Sequence, residues 1–318
     1  MIGTFKEYLT GVLTLSLLML NTLLLSLPLL CFSLLKLVIP LKGFRRFMGK
    51  MANATAELWI TINSLWMKLL GLKLNVKGLN GLNPKGYYLV TANHQSWADI
   101  LLMQHLLNRK IPLMKFFLKQ ELIYVPVIGL CWWALDFPFM KRYSKAYLEK
   151  HPEKRGKDLE STLQACEKFK TMPVSIVNYL EGTRFTETKH KKQQSPFKHL
   201  LKPRAGGISY VIGALGEQVR TLLNITIVYH QKDQLGFWDF LCGRINNVSI
   251  HFDQQTIPES FTGRNYQQDA DFRNDFQAWV NSLWKEKDQL MQQLSHHQGR
   301  VVTSTVVEAA PKSQSEVV

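Results

Sequence analysis

The sequence predicts an α/β fold in which a mixed sheet is covered by helices and preceded by an N-terminal membrane helix. Strand-like and helix-like stretches alternate after residue 75, and the first 40 residues contain a long uncharged apolar run. With 318 residues, 46% of them apolar and 20% charged, the chain is long enough to bury a sizeable core.

The N-terminal run has no charged residue between Tyr8 and Leu35 and exceeds the roughly 20 residues that a spanning helix needs. Pro28 lies inside it, so a kinked or re-entrant helix is an alternative to a span. The length of the run and the absence of a small-residue cleavage site argue against a signal peptide. Four basic residues follow closely: Lys42, Arg45, Arg46 and Lys50. By the positive-inside rule they predict that the rest of the chain lies on the cytoplasmic side.

Four regions are predicted along the chain. They are a transmembrane or re-entrant segment (1–41), an amphipathic interfacial helix region (42–74), an α/β domain (75–294) and a disordered tail (295–318). In the second region an apolar stripe has helical spacing, with Trp59 and Trp66 at headgroup depth if it lies in the membrane interface: Leu58, Ile62, Leu65, Trp66 and Leu69. This stripe fits a helix in the membrane interface or an ordinary amphipathic helix packed on the domain.

Within the domain, apolar runs bounded by polar residues predict strands, and 3.6-residue periodicity predicts helices. Strands are expected at 86–93, 172–180, 222–229 and 247–252. Helices are expected from about Ser96 to Leu107, over 157–170, after 202–207 through Leu215, and around Phe272 to Trp284. The apolar run 122–135 is too short to span a membrane and predicts a core segment or an interfacial patch.

The charge balance indicates which class of partner the protein binds. Lys and Arg outnumber Asp and Glu by 39 to 24, which gives a net charge of +15 and favours an anionic partner. A nucleic-acid binder is disfavoured, because the sequence shows no helix-turn-helix, zinc-finger or RNP motif and leaves the membrane segment without a role. The four cysteines are widely spaced, which argues against a disulfide framework and a zinc site.

A polar loop follows the strand at 86–93 and contains His94, with Asp99 five residues later. A tight turn into the next helix can bring the imidazole and the carboxylate together. Such a pair can deprotonate a hydroxyl, because the carboxylate fixes the imidazole tautomer and raises its basicity. Ser96 lies between them, but a Ser-His-Asp triad is disfavoured without a G-x-S-x-G elbow. Taken alone, the spacing also fits a polar loop with a helix-capping Asp.

A second polar loop follows the strand at 172–180 and carries Glu181, Gly182, Thr183 and Arg184. Glycine lets a ligand approach the backbone closely, and arginine can bind a phosphate through two hydrogen bonds. Further basic residues follow up to Arg204. The loop therefore predicts an anionic substrate, with a solvated basic loop as the alternative.

Together these segments resemble the glycerolipid acyltransferase family, in order and spacing, over roughly residues 75–230. NHQSWAD (93–99) resembles the family's NHxSxxD block, and KQELIYVPVIG (119–129) with FMKR (139–142) resembles the second block. YLEGTRF (179–185) resembles the third block, FPEGTRS, and LLNITIVY (222–229) stands where the fourth is expected. The sequence departs from these blocks at Asp136, Leu180 and Asn224.

The resemblance implies a membrane-bound 1-acylglycerol-3-phosphate acyltransferase. It would move a fatty acyl group from acyl-CoA or acyl carrier protein to lysophosphatidic acid, giving phosphatidic acid for phospholipid synthesis. His94 would be the base and Asp99 its partner. The second and third blocks would hold the glycerol phosphate through Phe139, Arg142, Glu181, Gly182, Thr183 and Arg184. No metal or cofactor is expected, because a thioester is already activated.

Two other readings stay open. The acceptor could be another lysophospholipid, such as lysophosphatidylglycerol or lysocardiolipin, or glycerol 3-phosphate. A non-catalytic membrane scaffold is the third reading, although a scaffold would not need the His94–Asp99 pair. The expected location is a membrane, the bacterial inner membrane, with the domain on its cytoplasmic side and with no nucleic acid as partner.

Overall fold

The computed structural model describes residues 2–140, 145–151, 166–170, 172–231, 236–264, 266 and 268–296. The chain begins with two long helices, α1 (Ile2–Val38) and α2 (Lys42–Met67), which pack along each other. The short link between them makes the pair an antiparallel hairpin. Inside it, the Asn21 amide donates to the Trp59 carbonyl at 3.0 Å and to Asn63 Oδ1 at 2.8 Å. These buried hydrogen bonds fix how the two helices pack.

The domain is built on a six-stranded sheet with the order β1-β8-β7-β2-β6-β3. Its strands are β1 (Lys73–Lys77), β2 (Tyr88–Ala92), β3 (Met114–Phe116), β6 (Ser175–Asn178), β7 (Thr221–Tyr229) and β8 (Asn247–Thr256). Neighbouring strands are parallel except β7 and β8, which are antiparallel. A separate parallel pair consists of β4 (Leu118–Lys119) and β5 (Phe139–Met140). The mixed sheet confirms the predicted fold class.

Helices cover both faces of the sheet, because successive strand residues point to opposite faces. The helices that follow the hairpin include α3 (Ala98–Leu107), α4 (Ile128–Ala134), α5 (Lys145–Lys150), α6 (Glu187–Gln193), α7 (Gly206–Leu215), α8 (Phe237–Leu241) and α9 (Ala270–His296). The hairpin, α3, α4 and α8 share one apolar core with Val90 of β2. Helices α7 and α9 share the other with Leu89. The result is a three-layer α/β/α domain.

Helix α1 lies along this domain. Near its start, Arg244 Nε donates to a Glu7 carboxylate oxygen at 2.9 Å, and Gly11 packs against Trp238. Near its end, Lys36 Nζ donates to Asp136 Oδ2 at 3.0 Å. At 1.5 Å of rise per residue, these contacts are separated by about 44 Å of helix. Residues Thr4–Val38 are long and apolar enough to cross a membrane, with a mean hydropathy of 2.1. Helix α1 therefore contacts the domain near both of its ends.

Asp136, which departs from the glycine usual in the family's second block, has a φ of 58°. This left-handed backbone favours glycine, which explains the preference. Its carboxylate accepts hydrogen bonds from Lys36 and, at 3.1 Å, from Lys168. The side chain that glycine lacks thus ties α1 to the domain.

Some segments differ from the sequence-based expectations. Helix α2 begins at Lys42, the first residue of the predicted amphipathic helix region, but ends at Met67, before that region ends. The run 122–135 forms a 3-10 turn and α4, with Cys131 and Ala134 buried but Leu130 and Trp133 exposed. Of the helix predicted over 157–170, residues 166–169 are helical and 157–165 lie outside the described residues. Helix α9 continues to His296, and the rest of the predicted tail also lies outside them.

Candidate active site

The carboxyl ends of the parallel strands β2, β6 and β7 meet at one edge of the sheet. His94 lies two residues after the end of β2, and Asp99 lies in the first turn of α3. The His94 Nδ1 atom is 2.9 Å from Asp99 Oδ2. Nε2 is therefore the ring nitrogen left to meet a substrate hydroxyl. The side chain of Asp99 is fully buried, and that of His94 is 14% exposed.

Asp99 accepts hydrogen bonds from several other groups. Oδ2 also accepts from the backbone N–H groups of Gln95 at 2.7 Å and Ser96 at 2.9 Å, and Oδ1 accepts from the Tyr229 hydroxyl at 2.5 Å. The carboxylate is thus held in one orientation by both the loop and β7. The partner of the imidazole is Asp99 rather than Ser96, whose Oγ accepts from the Ala98 backbone N–H at the start of α3. His94 and Asp99 therefore form a dyad whose carboxylate also accepts from the Tyr229 hydroxyl.

Two other residues near the dyad, Tyr179 and Asn93, lie inside the quoted motifs, but the sequence predicted no role for them. The ring of Tyr179 stacks on the His94 imidazole, with centroids 4.0 Å apart and planes at 16°. Asn93 accepts from the Ile227 N–H and donates to the Ile227 carbonyl, both at 2.8 Å, and so joins β2 to β7 where their ladder ends. Both contacts join residues more than 80 positions apart, so only the fold brings them together.

Glu181 lies behind the dyad. It is fully buried, and its two carboxylate oxygens accept from the backbone N–H groups of His94 and Leu201, each at 3.0 Å. Burial raises the pKa of Glu181 to about 7, while both backbone hydrogen bonds and the Lys287 ammonium act to lower it. The sequence analysis expected Glu181 to bind substrate. The structure instead directs both oxygens at the backbone of the site.

The next three residues turn outwards. Gly182 has a φ of 69°, which favours glycine, and Gly182, Thr183 and Arg184 line a cavity beside His94. The Arg184 guanidinium stacks over the Trp97 ring at 5.2 Å. Lys189 Nζ donates to Thr183 Oγ1 at 2.8 Å and to the Arg184 carbonyl at 2.9 Å. This loop therefore presents backbone and cationic groups to an anionic ligand.

The cavity has a volume of about 820 Å³, within the usual range for ligand sites. His94, Trp97 and Arg184 line it from the sheet edge. Its remaining wall is mostly apolar and comes from the hairpin, α3, α4 and β3, including Leu18, Ala56, Trp59, Ile60, Leu101, Phe116 and Trp132. The dyad thus faces a large apolar space with a cationic group beside it.

The structure does not bring every predicted site residue to this cavity. Phe139 lies in β5, paired with Leu118, and is not part of the cavity wall. Arg142 lies outside the described residues. Lys119, from the second block, does line the cavity. Among the residues described, no group of three or more His, Cys, Asp or Glu side chains is arranged to hold a metal ion.

Comparison with known proteins gives a consistent result. Residues 73–223 match the family model described as Acyltransferase. The chain is 25% identical over 223 residues to mouse 1-acyl-sn-glycerol-3-phosphate acyltransferase gamma, covering 65% of this chain and 53% of that protein. It is 26% identical over 217 residues to the human delta enzyme, covering 63% and 51%. The chain spans about half the length of the curated relatives it matches.

A similar fold is found in the crystal structure of the 1-acyl-sn-glycerophosphate acyltransferase PlsC from Thermotoga maritima. The TM-score is 0.50 at 15% identity, over 89% of this chain and 100% of that chain. The matched region includes the His94–Asp99 loop and the loop carrying Gly182 and Arg184. The family match covers both loops and strands β1, β2, β3 and β6 of the sheet, and together with the curated relatives it supports assigning this chain to the glycerolipid acyltransferase family.

Proposed function

We propose that this protein transfers a fatty acyl group from a thioester donor, acyl-CoA or acyl carrier protein, to the free hydroxyl of 1-acylglycerol 3-phosphate, producing phosphatidic acid. The observation that carries the proposal is the His94–Asp99 dyad, 2.9 Å apart, facing an apolar cavity with Arg184 beside it. The reaction needs a base, a space for a fatty acyl chain and a cation for the phosphate. The names of the relatives above point to the same acceptor.

In the proposed reaction, His94 Nε2 takes the proton of the acceptor hydroxyl while the oxygen attacks the thioester carbonyl carbon. A C–O bond forms, the C–S bond breaks, and the leaving thiolate takes the proton from the imidazolium. Asp99 stabilises the imidazolium, and a positioned base of this kind contributes about 10²–10⁴-fold to the rate. Glu181 acts differently from the expectation, by holding the backbone of His94 rather than the acceptor.

The direct test of this function is an acceptor panel assayed with purified protein in detergent. Oleoyl-CoA is offered with lysophosphatidic acid, lysophosphatidylglycerol or glycerol 3-phosphate, and each product is identified by mass spectrometry. The proposal predicts the highest kcat/KM for lysophosphatidic acid. A preference for lysophosphatidylglycerol would assign the enzyme to phospholipid remodelling instead. Absence of transfer to every acceptor would refute the proposal.

Arg184 is proposed to bind the acceptor phosphate. Arg184→Ala is expected to raise the KM for lysophosphatidic acid about tenfold or more, since hydrogen bonds to charged groups contribute about 1.5–3 kcal/mol. The KM for oleoyl-CoA should stay nearly constant. Arg184→Lys should recover part of the loss, because a lysine offers a point charge rather than a planar fork. The measurement is steady-state kinetics with each substrate varied.

The control is Arg220→Ala, which removes an exposed arginine just before β7, at the opposite edge of the sheet. It should leave both KM values unchanged. If Arg184 instead has a structural role, Arg184→Ala would lower the melting temperature and raise both KM values. A stable Arg184→Ala protein with an unchanged acceptor KM would exclude the phosphate-binding role.

The apolar cavity is proposed to hold the acyl chain. Ala56 of α2 lies in its wall, so Ala56→Leu is expected to shorten the preferred donor chain by roughly three methylenes, because leucine adds three carbon atoms to the wall. Ala54→Leu makes the same change on the exposed side of α2 and should leave the preference as it is. Competition among acyl-CoA donors of increasing length measures the shift. Equal profiles for the two variants would place the acyl chain elsewhere.

Membrane association is part of the proposal. One side of α1 exposes a row of large apolar residues, among them Leu9, Leu13, Leu20, Leu24, Leu27 and Leu34. The other side packs on α2 and on the domain. A helix that is apolar outwards and tied to its domain at both ends is suited to lie in one leaflet. The basic start of α2, at Lys42, Arg45 and Arg46, would then face anionic headgroups.

A further inference from the structure

The C-terminal helix α9 holds a loop behind the dyad. The Asp288 carboxylate accepts from the backbone N–H groups of Lys198 at 2.8 Å and His199 at 2.7 Å. Trp284 Nε1 donates to the Leu201 carbonyl at 3.1 Å. The N–H of the same Leu201 donates to Glu181, whose other oxygen accepts from His94. A continuous set of hydrogen bonds therefore runs from α9 to the backbone of His94.

Lys287 of α9 lies beside this set of hydrogen bonds, with its Nζ 5.3 Å from the centroid of the Trp284 ring, although it belongs to none of the family's blocks. It is 1% exposed, donates a hydrogen bond to the Ile225 carbonyl of β7, and is 3.4 Å from Thr226 Oγ1. A buried ammonium is costly unless opposite charges face it. Two carboxylates do so: Glu181, from the loop after β6, and Asp253, from β8. The other charge facing Glu181 is Asp99, which is of the same sign.

The buried charges of Glu181 and Lys287 therefore act on each other. Burial lowers the pKa of Lys287 to about 7, and the attraction of Glu181 and Asp253 opposes this effect. An ionised Glu181 has lone pairs for both backbone N–H groups, whereas a protonated carboxyl has a weaker acceptor on its hydroxyl oxygen. The charge of Lys287 thus bears on how firmly Glu181 holds His94.

We propose that Lys287 is a positioning residue for acyl transfer, whose buried ammonium keeps Glu181 charged and bonded to the backbone N–H groups of His94 and Leu201. The effect on the rate of acyl transfer rests on the proposed function. The structural consequence is independent of any substrate. Lys287 acts through Glu181 and does not touch the acceptor or the donor.

The test compares Lys287→Met with Lys285→Met, which removes the same charge from the exposed side of α9 two residues away. In Lys287→Met the pKa of Glu181 rises, because the nearby positive charge is lost while Asp99 remains. The acid limb of the kcat profile should move up by about one pH unit or more, the size of a single neighbouring charge effect. Activity should fall about tenfold at neutral pH and recover in more alkaline buffer. Lys285→Met should follow the wild type throughout.

Glu181→Gln provides the second comparison, because it removes the charge on which Lys287 acts. Lys287→Met should have little further effect on kcat in that background. A loss that is equal at every pH and undiminished in the Glu181→Gln background would reduce Lys287 to a packing role and overturn the proposal. So would a folded Lys287→Met protein with the wild-type profile. Thermal melts check that each variant is folded.

Hydrogen–deuterium exchange separates this inference from the proposed function. In Lys287→Met at neutral pH, the peptides that contain His94 and Leu201 should exchange faster than in the wild type, and Lys285→Met should leave them protected. If the wild type transfers no acyl group, the proposed function is refuted, but the exchange rates of these peptides still test the positioning role of Lys287. Unchanged protection of both peptides would overturn the positioning role whatever the activity.

Discussion

Replacing His94 with alanine is expected to lower acyl transfer by about 10²–10⁴-fold, the contribution of a positioned general base. The imidazole is held at 2.9 Å by Asp99 and supported by the Tyr179 ring, so its loss removes the base while leaving the hydrogen bonds of the Glu181 carboxylate to the backbone in place. The measurement is the initial rate of phosphatidic acid formation from oleoyl-CoA and lysophosphatidic acid.

The control for this variant is His296→Ala, which removes an exposed imidazole at the end of α9. It should keep the wild-type rate. The His94→Ala protein should remain folded and bound to vesicles, because His94 lies at the cavity and not in either apolar core. A folded variant with most of its turnover would exclude His94 as the base.

Asp99→Asn is expected to lower kcat about 10²-fold, since a hydrogen bond to a charged group contributes about 1.5–3 kcal/mol. Asparagine can keep the geometry. Its carbonyl oxygen can accept from the ring and from the N–H groups of Gln95 and Ser96, and its amide can donate to the Tyr229 oxygen. The variant therefore removes the negative charge beside the imidazolium and little else.

Tyr229→Phe is the matched comparison for this loss. It removes one hydrogen bond to Asp99 but leaves the carboxylate charged, so kcat should fall only a few-fold, in line with about 0.5–1.5 kcal/mol for one hydrogen bond. Steady-state kinetics on the three proteins decides between charge and geometry. Equal losses in Asp99→Asn and Tyr229→Phe would show that orientation, rather than charge, is what Asp99 supplies.

The sequence was most informative where the relevant contacts are local. The His94–Asp99 pair spans one loop and one turn of α3, so its spacing and the family resemblance together could predict it, although the spacing alone also fits a helix-capping Asp. Gly182 and Arg184 could also be predicted from the sequence, because they follow the strand predicted at 172–180. The strands missed by the analysis are β1 and the short β3, β4 and β5, which have two to five residues and little periodicity.

Contacts between distant residues could not be predicted in this way. Tyr229 reaches Asp99 across 130 positions, and the approach of α9 to Glu181 depends on the packing of the second core. Leucines lie on every side of α1, so the sequence did not indicate which side of this helix packs on α2. Glu181 shows that a sequence motif does not determine where each of its side chains points. It adjoins residues that face the cavity, yet its carboxylate points into the protein because Gly182 turns the chain.

The most direct test of the central claim is a single reaction with purified protein, radiolabelled oleoyl-CoA and lysophosphatidic acid. Phosphatidic acid and free CoA are measured over time for the wild type and for His94→Ala. The account predicts equal amounts of both products from the wild type and at least a 10²-fold slower reaction from the variant. Release of CoA without phosphatidic acid, or equal rates from the two proteins, would contradict it.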